Sequence, residues 1–166
     1  ADKQLFAKTI NQSCDLLLVL INDILEVSRL QSGQMKFEKE SCSVKELVDD
    51  LYLAHQLLVP THLRFSKEAE GDLFIYTDKK RLSQVITNFL TNACKFTNSG
   101  YIKLGFKHLR GTDEAAIFVE DSGIGLSEEE QEKVFSRFFK QDEFSQGAGL
   151  GLSICQGIVQ NLGGRI

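Results

Sequence analysis

The hydrophobic positions near the start of the chain recur with the period of a helix. One set follows alternating steps of four and three residues, the spacing of a coiled-coil seam: Ile10, Cys14, Leu17, Ile21 and Ile24. Three more widen the stripe, as in a bundle of more than two helices: Leu16, Leu20 and Val27. The pattern predicts a helix over residues 3 to about 30, closed by Gly33. The alternative is a long helix packed on its own domain.

Two further helices are predicted from their N-caps. Ser43 and Glu46 have the spacing of a capping box, in which the hydroxyl accepts from the backbone N–H three residues on. This helix is expected to run to about residue 58, because Pro60 then ends it. Asp78 is a good N-cap for a helix that continues to about residue 95.

The last third of the chain predicts two more helices. Ser127 and Glu130 form a second capping box, which opens a short helix toward residue 135. A final helix is expected over residues 150–161, stopped by Gly163 and Gly164.

Short runs between these helices have the composition of strands. They cover residues 63–66, 73–76, 101–107 and 115–120, and the last two flank a polar turn at 110–114. The order of helix, strands, helix, hairpin, loop and helix predicts an α+β fold. We expect a two-layer sandwich whose mixed sheet carries helices on one face.

Composition limits the classes of function. The 166 residues are 42% hydrophobic, which suits one ordinary domain plus an appendage. A formal charge of −4 with scattered basic residues argues against contacts with nucleic acid or an anionic membrane. Four well-separated cysteines predict reduced thiols in a cytoplasmic setting. The longest apolar stretch, residues 16–21, is too short to cross a bilayer, although a longer parent protein is compatible with a membrane anchor.

The helix after Asp78 carries polar residues that share one face. Asn88, Asn92 and Lys95 are four and three positions apart. An amide oxygen such as that of Asn92 suits Mg²⁺, and Lys95 can place a charge near phosphate oxygens. The alternative is an ordinary solvated face of an amphipathic helix.

A carboxylate followed by glycines comes directly after a predicted strand. Asp121 can accept a hydrogen bond from an exocyclic amino group, and Gly123 and Gly125 let the backbone approach a flat ligand. The alternative is a glycine-rich turn with Asp as turn former.

A second glycine-rich run precedes the last helix, where exposed N–H groups and the helix dipole favour phosphate. Its spacing is not that of a dinucleotide fingerprint or a P-loop. The run comprises Gly147, Gly149, Leu150, Gly151 and Leu152.

The stretch between the two glycine-rich runs is typical of a lid over a ligand. It contains Arg137 and Lys140, followed by polar residues to Gln146. The alternative is that its phenylalanines, at 135, 138 and 139, belong to the core.

These four elements, in this order and spacing, resemble the N, G1, F and G2 boxes of the histidine kinase branch of the gyrase-like ATPases. They extend from residues 81–84 to residues 153–154, and residues 16–33 resemble the second dimerisation helix of such kinases. The resemblance implies a Bergerat-type ATP-binding fold. It divides the chain into 1–40, a dimerisation helix and linker, and 41–166, the catalytic ATP-binding domain.

The resemblance also implies roles for individual residues. Asn92 would be the Mg²⁺ ligand, Lys95 a phosphate contact and Phe96 a wall of the nucleotide site. Asp121 would hold the adenine amino group in a pocket shaped by Gly123 and Gly125. The remaining implied contacts to ATP are Asn88, Arg137, Lys140, Gly147, Gly149, Leu150, Gly151 and Leu152.

Asn88 bears on the type of reaction. In related ATPases a water-activating glutamate stands one turn before the metal-binding asparagine, and here that place holds an amide. An amide is a poor general base, which favours a kinase over a gyrase-like hydrolysis cycle. Two further functions are compatible with the same motifs, namely a serine kinase of the same fold and a degenerate module that binds no nucleotide.

The phosphoacceptor expected for this family is a histidine followed by an acidic residue on the first dimerisation helix. His55, His62 and His108 are the three histidines, and none precedes Asp or Glu. We therefore expect this segment to bind Mg·ATP without phosphorylating itself, its acceptor helix and closing strand lying outside it. The complete parent would dimerise through its helices and relay phosphate to a response-regulator receiver domain.

Overall fold

The computed structural model describes residues 2–69, 71–109, 111–112, 114–141 and 148–166. The elements in chain order are α1 (Asp2–Gln31), β1 (Glu40–Ser43), α2 (Val44–His55), β2 (Leu63–Ala69), β3 (Phe74–Thr77), α3 (Lys79–Phe96), β4 (Gly100–His108), β5 (Ala115–Asp121), α4 (Glu128–Lys133) and α5 (Gly151–Leu162).

The strands form two sheets. In the larger one, β4 lies between β2, to which it runs parallel, and β5, to which it runs antiparallel. In the smaller one, β1 pairs antiparallel with β3, so that Glu40 lies opposite Thr77 and Ser43 opposite Phe74. The mixed sheet packs one face against α2 and α3. The predicted α+β sandwich is therefore confirmed.

Two apolar cores stabilise this arrangement. The main core lies between the sheet, α2 and α3, and includes Leu47, Leu90, Ile102 and Leu104, all nearly inaccessible to solvent. The second core joins α3 to α5 and to the linker after α1; its buried members are Met35, Val85, Leu150, Ile154, Cys155 and Ile158. Helix α3 contributes to both, with Ile86, Leu90 and Ala93 in the main core and Val85 in the second.

All the predicted helices and strands are present, with bounds that differ by up to three residues and with one additional strand. Strand β1 was not predicted, because its four residues pair with a distant strand and carry little local signal. Helix α2 ends at His55, three residues before the predicted end at Leu58. There the chain tightens, and the N–H groups of Leu58 and Val59 both donate to the carbonyl of His55.

Helix α1 has two environments. Towards its N-terminus the predicted seam is exposed, with Ile10 60% and Leu17 56% accessible. Towards its C-terminus Val27 and Leu30 pack against the second core, so the alternative of packing on its own domain applies to this part alone. None of the described helices combines the length and the hydropathy needed to span a membrane.

Polar contacts also hold α1 on the domain. Arg81 Nη1 donates to Glu26 Oε1 at 2.9 Å and to Gln84 Oε1 at 2.9 Å, and Gln84 Nε2 donates to the other Glu26 oxygen at 2.5 Å. Two of these hydrogen bonds tie the beginning of α3 to α1, and the third, between Arg81 and Gln84, lies within α3.

Asp78 links α3 to the linker after α1. One carboxylate oxygen accepts from the Arg81 N–H at 2.9 Å as an N-cap, and the other accepts from the Glu38 N–H at 2.9 Å. The residue is 6% exposed. Burial alone would raise the pKa of Asp78, but these N–H donors and the Arg81 charge outweigh burial and hold the pKa below its ordinary value.

We expect Asp78→Ala to lower the free energy of unfolding by about 2–3 kcal/mol, because it removes a helix cap and leaves two N–H groups without their acceptor. Urea unfolding measures this. Since the folded pKa is lowered, the contribution is present above the unfolded value of about 3.9 and is lost as pH falls through the folded pKa. The exposed Asp72→Ala is the control, and equal losses in the two variants would contradict the assignment.

Candidate functional site

Helix α3 presents the predicted polar face. Asn92 Nδ2 donates to Asn88 Oδ1 at 3.2 Å, as expected for side chains four positions apart on a helix. The Lys95 ammonium lies 4.9 Å from the centroid of the Phe96 ring. Both pairs lie in the C-terminal half of the helix, where Asn88, Asn92 and Lys95 were predicted to share one face.

The orientation of the Asn92 amide matters for metal binding. Because its nitrogen is the atom that donates to Asn88, its oxygen is left as the acceptor at this position. An amide oxygen is a suitable ligand for Mg²⁺, which prefers oxygen ligands and usually keeps several water molecules or phosphate oxygens in its coordination shell. The residues present therefore fit the metal.

The loop after β5 is bound closely to the end of α3. Asp121 Oδ1 accepts from the Gly123 N–H at 2.8 Å and faces the Thr97 hydroxyl at 3.4 Å. The Ile124 N–H donates to the Phe96 carbonyl at 3.2 Å. A Cβ at Gly123 would lie 2.5 Å from that carbonyl oxygen, so a side chain there would push the loop away from α3.

The N-terminus of α5 differs from those of the preceding helices. Ser43, Asp78 and Ser127 each cap their helix with a side-chain oxygen, whereas Leu150, the N-cap residue of α5, provides no side-chain cap. The first N–H groups of a helix have no partner within it, and among the described residues no side chain caps those of α5. They lie close to α3, because a Cβ at Gly151 would be 2.5 Å from Asn88 Nδ2.

The segment after α4 joins the two glycine-rich loops. The Phe138 N–H donates to the Gly149 carbonyl at 2.9 Å, and Gln141 Nε2 donates to the Gly125 carbonyl at 3.1 Å. Phe138 has a φ of 63°, an uncommon conformation for a bulky residue and often associated with functional sites. With the contacts described above, α3, the two loops and this segment form a closed ring.

Two residues predicted in the lid are placed differently from each other. Arg137 points toward α1: with the Gln31 amide oxygen facing the guanidinium, that oxygen accepts from Nη1 and Nη2 at 2.6 Å each. Lys140 is exposed on the same segment. Their phosphate contacts stay predictions, and Gly147 lies outside the described residues. Phe138 is 68% exposed, while Phe135 and Phe139 are partly buried.

Sequence reasoning gave no role to several residues that the structure brings to the ring. Thr97 was part of the quoted motif, but its contact with Asp121 depends on how two elements meet. Ser122 braces the same loop, since its hydroxyl accepts from the Tyr101 N–H at 2.8 Å. Gln31 and Gln141 carried no signal, because their partners are distant in sequence.

The histidines were expected to be structural or on the surface. His55 is buried, and its Nδ1 lies 2.9 Å from the Leu51 carbonyl oxygen, one helical turn away. His62 and His108 are exposed, at the start of β2 and at the end of β4. None of the three belongs to the ring of contacts described above.

Comparison with known proteins finds one family description, the histidine kinase-, DNA gyrase B- and HSP90-like ATPases, which matches residues 77–166. The chain is 33% identical over 164 residues to the aerobic respiration control sensor protein ArcB homolog of Haemophilus influenzae, covering 95% of this chain and 50% of that protein. It is 37% identical over 167 residues to the alginate biosynthesis sensor protein KinB of Pseudomonas aeruginosa, covering 96% of this chain and 27% of that protein. The chain thus spans half or less of these relatives.

Solved structures are similar over almost the whole chain. Full-length ShkA, in complex with AMPPNP, superimposes with a TM-score of 0.85 at 26% identity, over 98% of this chain and 35% of that one. The histidine kinase ThkA, in complex with the response regulator protein TrrA, superimposes with a TM-score of 0.75 at 27% identity. The match covers 96% of this chain and 44% of that one.

Gly149 and Gly125 provide a matched test of the ring, because both have a φ of +69°. A Cβ at Gly149 would lie 2.5 Å from the Phe139 carbonyl oxygen, whereas one at Gly125 would meet nothing within 4 Å. We expect Gly125→Ala to cost about 1 kcal/mol of unfolding free energy from the backbone conformation alone. Gly149→Ala should cost about 2–3 kcal/mol, since backbone atoms must also move apart.

Urea unfolding of the two variants, with hydrogen exchange at the Phe138 amide, measures the difference. Exchange at this amide should accelerate in Gly149→Ala alone, because its acceptor is the Gly149 carbonyl. Equal losses of stability and unchanged exchange would show that the two segments do not meet as described.

Proposed function

Because the chain belongs to the family of histidine kinase-, DNA gyrase B- and HSP90-like ATPases, we propose that it binds Mg·ATP within the ring formed by α3, the two glycine-rich loops and the segment after α4. In its complete parent it transfers the γ-phosphoryl group to a histidine of the dimerisation domain. A receiver domain of a response regulator then accepts the phosphoryl group on an aspartate.

The uncapped N-terminus of α5 is the observation that carries this proposal. In α2, α3 and α4 a side-chain oxygen accepts from an N–H group of the first turn, whereas α5 has no such cap. The first N–H groups of α5 and the helix dipole favour the phosphate chain of a nucleotide. Gly151 brings them beside the polar face of α3, where Lys95 adds a positive charge. Gly147, Gly149, Leu150 and Leu152 complete the proposed phosphate loop.

Asp121 is proposed to select the base. Oδ1 is engaged by the Gly123 N–H and the Thr97 hydroxyl, so the second oxygen is the one oriented to accept from the exocyclic amino group of adenine. Gly123 and Gly125 allow the flat base to approach the backbone, and Phe96 forms a neighbouring wall. Guanine presents a carbonyl oxygen at the same position. Two hydrogen-bond acceptors would then face each other, and their partial negative charges would repel.

Asn92 is proposed to hold Mg²⁺ through its amide oxygen, together with the phosphates. When bound, the metal neutralises charge on the transferring phosphoryl group, which is a large part of catalysis in phosphoryl transfer. Asn88 holds the Asn92 nitrogen and thereby fixes which atom of the amide is presented. Arg137 and Lys140 are proposed as further contacts at the phosphate end.

The reaction is proposed to be transfer to a histidine rather than hydrolysis. Asn88 is neutral and engaged with Asn92, so a water molecule at this place meets no general base. The γ-phosphate is therefore preserved until an acceptor arrives. We place that acceptor outside this chain, because His55 is buried and bonded within α2 and the other two histidines stand apart from the ring.

Helix α1 is proposed to belong to the dimerisation domain. Its seam from Ile10 to Ile24 is apolar and exposed, as expected of a surface that meets other helices in a bundle. We therefore assign residues 1–40 to the dimerisation helix and linker and residues 41–166 to the catalytic domain. The parent is proposed to be a homodimer in which the part formed by this chain lies in the cytoplasm, with or without a membrane anchor elsewhere in the parent.

Nucleotide binding can be measured by calorimetric titration with a non-hydrolysable ATP analogue, with and without Mg²⁺. Asp121→Asn should weaken binding at least tenfold, because a hydrogen bond to a charged group contributes on the order of 1.5–3 kcal/mol. Asn92→Ala should abolish the effect of Mg²⁺ on affinity. Asn98→Ala, an exposed asparagine just beyond α3, is the control. A folded protein that does not bind the analogue would refute the proposal.

Phosphoryl transfer needs a protein that also contains the first dimerisation helix. With γ-labelled ATP, such a protein should acquire an acid-labile, base-stable phosphohistidine in that helix and pass the label to a receiver domain. Asn92→Ala should reduce labelling at least tenfold, since the proposed amide ligand of the metal is lost. Asn98→Ala should leave labelling unchanged. Binding of Mg·ATP without labelling of any histidine would argue for a different reaction.

A further inference from the structure

Thr97 ends helix α3 and is almost completely buried. Its N–H donates to the Ala93 carbonyl at 3.0 Å, and 3% of its surface is exposed. A buried hydroxyl group needs a hydrogen-bond partner, because burying it unpaired is unfavourable. The partner that the structure gives Thr97 Oγ1 is Asp121 Oδ1, at 3.4 Å.

Two donors converge on the same oxygen of Asp121, and they come from different elements. The Gly123 N–H, at 2.8 Å, belongs to the loop that carries Asp121 and therefore orients the carboxylate within that loop. The Thr97 hydroxyl belongs to the C-cap residue of α3, the helix that carries Asn92 and Lys95. It is thus the side-chain contact that relates the carboxylate to the helix proposed to bind the metal and the phosphates.

We propose that Thr97 is a positioning residue for recognition of the base. Its hydroxyl holds Asp121 Oδ1, so that the second oxygen faces the exocyclic amino group of adenine while α3 holds the phosphate end. Thr97 therefore favours purine nucleotides with a hydrogen-bond donor at C6. This inference rests on the proposed function, since it concerns the same nucleotide site.

The position of the loop does not depend on this hydroxyl group. The Ile124 N–H donates to the Phe96 carbonyl at 3.2 Å, and the Ser122 N–H donates to the Tyr101 carbonyl at 3.1 Å. Asp121 itself is exposed and can be solvated. Loss of the hydroxyl should therefore leave the loop in place and release the carboxylate to rotate, which affects base recognition more than stability.

The separation of 3.4 Å is longer than the optimum of an O–H···O hydrogen bond. We therefore expect an effect smaller than that of removing the carboxylate itself. Thr97→Val should weaken binding of ATP about threefold to tenfold, below the loss expected for Asp121→Asn. Thr97→Ser keeps the hydroxyl and should bind ATP as the wild type does.

A thermodynamic cycle that combines one substitution with one change of ligand separates positioning from a general structural role. The two ligands are Mg·ATP and Mg·purine riboside triphosphate, which lacks the amino group at C6, each titrated calorimetrically into wild type and Thr97→Val. If Thr97 acts through Asp121 on the amino group, the variant should weaken ATP but change the affinity of the deamino analogue less than about twofold. A purely structural defect would weaken both ligands equally.

The outcomes distinguish this inference from the proposed function. If the folded wild type does not bind ATP, the proposed function fails. If it binds ATP but Thr97→Val binds both ligands as the wild type does, or loses both equally, the role of Thr97 is refuted alone. The same conclusion follows if Thr97→Ser loses as much affinity for ATP as Thr97→Val does. Thermal unfolding verifies folding, and Thr97→Ala replaces the valine variant should that variant not fold.

Discussion

The site depends on the close approach of backbone segments that side chains would keep apart. A Cβ at position 123, 149 or 151 would lie 2.5 Å from an atom of Phe96, Phe139 or Asn88 respectively. Two of these three contacts are with carbonyl oxygens, which cannot move without moving their segments. The absence of a side chain at these glycines therefore permits the ring of contacts, and the ring in turn brings the carboxylate, the amides and the helix N-terminus together.

Helix α3 is the element that connects stability with function. Its apolar positions belong to both cores, with Ile86 and Leu90 in one and Val85 in the other. Its first turn is held by Asp78, whose carboxylate also binds the linker after α1. Its polar residues line the proposed nucleotide site. A change in how α3 is anchored is therefore expected to move the residues of the site, because the same helix carries them.

Helix α1 contacts the domain at the beginning of α3 and at the segment after α4. Glu26 binds Arg81 and Gln84 at the beginning of α3, and Gln31 binds Arg137 in the segment that joins the two glycine-rich loops. Leu30 packs against α5, where a Cβ at Gly157 would lie 3.1 Å from it. In this structure the orientation of the domain on α1 and the position of Arg137 are linked by direct contacts.

The sequence by itself determined the features that depend on residues near one another along the chain. The cap at Ser127 and Glu130 needs a hydroxyl and a carboxylate three residues apart, and Gly163 ends α5 with a φ of 90° that few other residues adopt. Helix periodicity likewise predicted that Asn88 and Asn92 share a face. The order of the four motifs carried the family resemblance, and the resemblance implied that their residues share one nucleotide site.

Only the tertiary structure decided the contacts between distant residues. Strand β1 exists because Glu40–Ser43 meets β3, and nothing in those four residues alone requires it. Thr97 meets Asp121, and Arg137 meets Gln31, because α3, β5 and α1 are packed together by the two cores. The energy of such contacts depends on distance in space. Local patterns carry no information about it, since they register only neighbours along the chain.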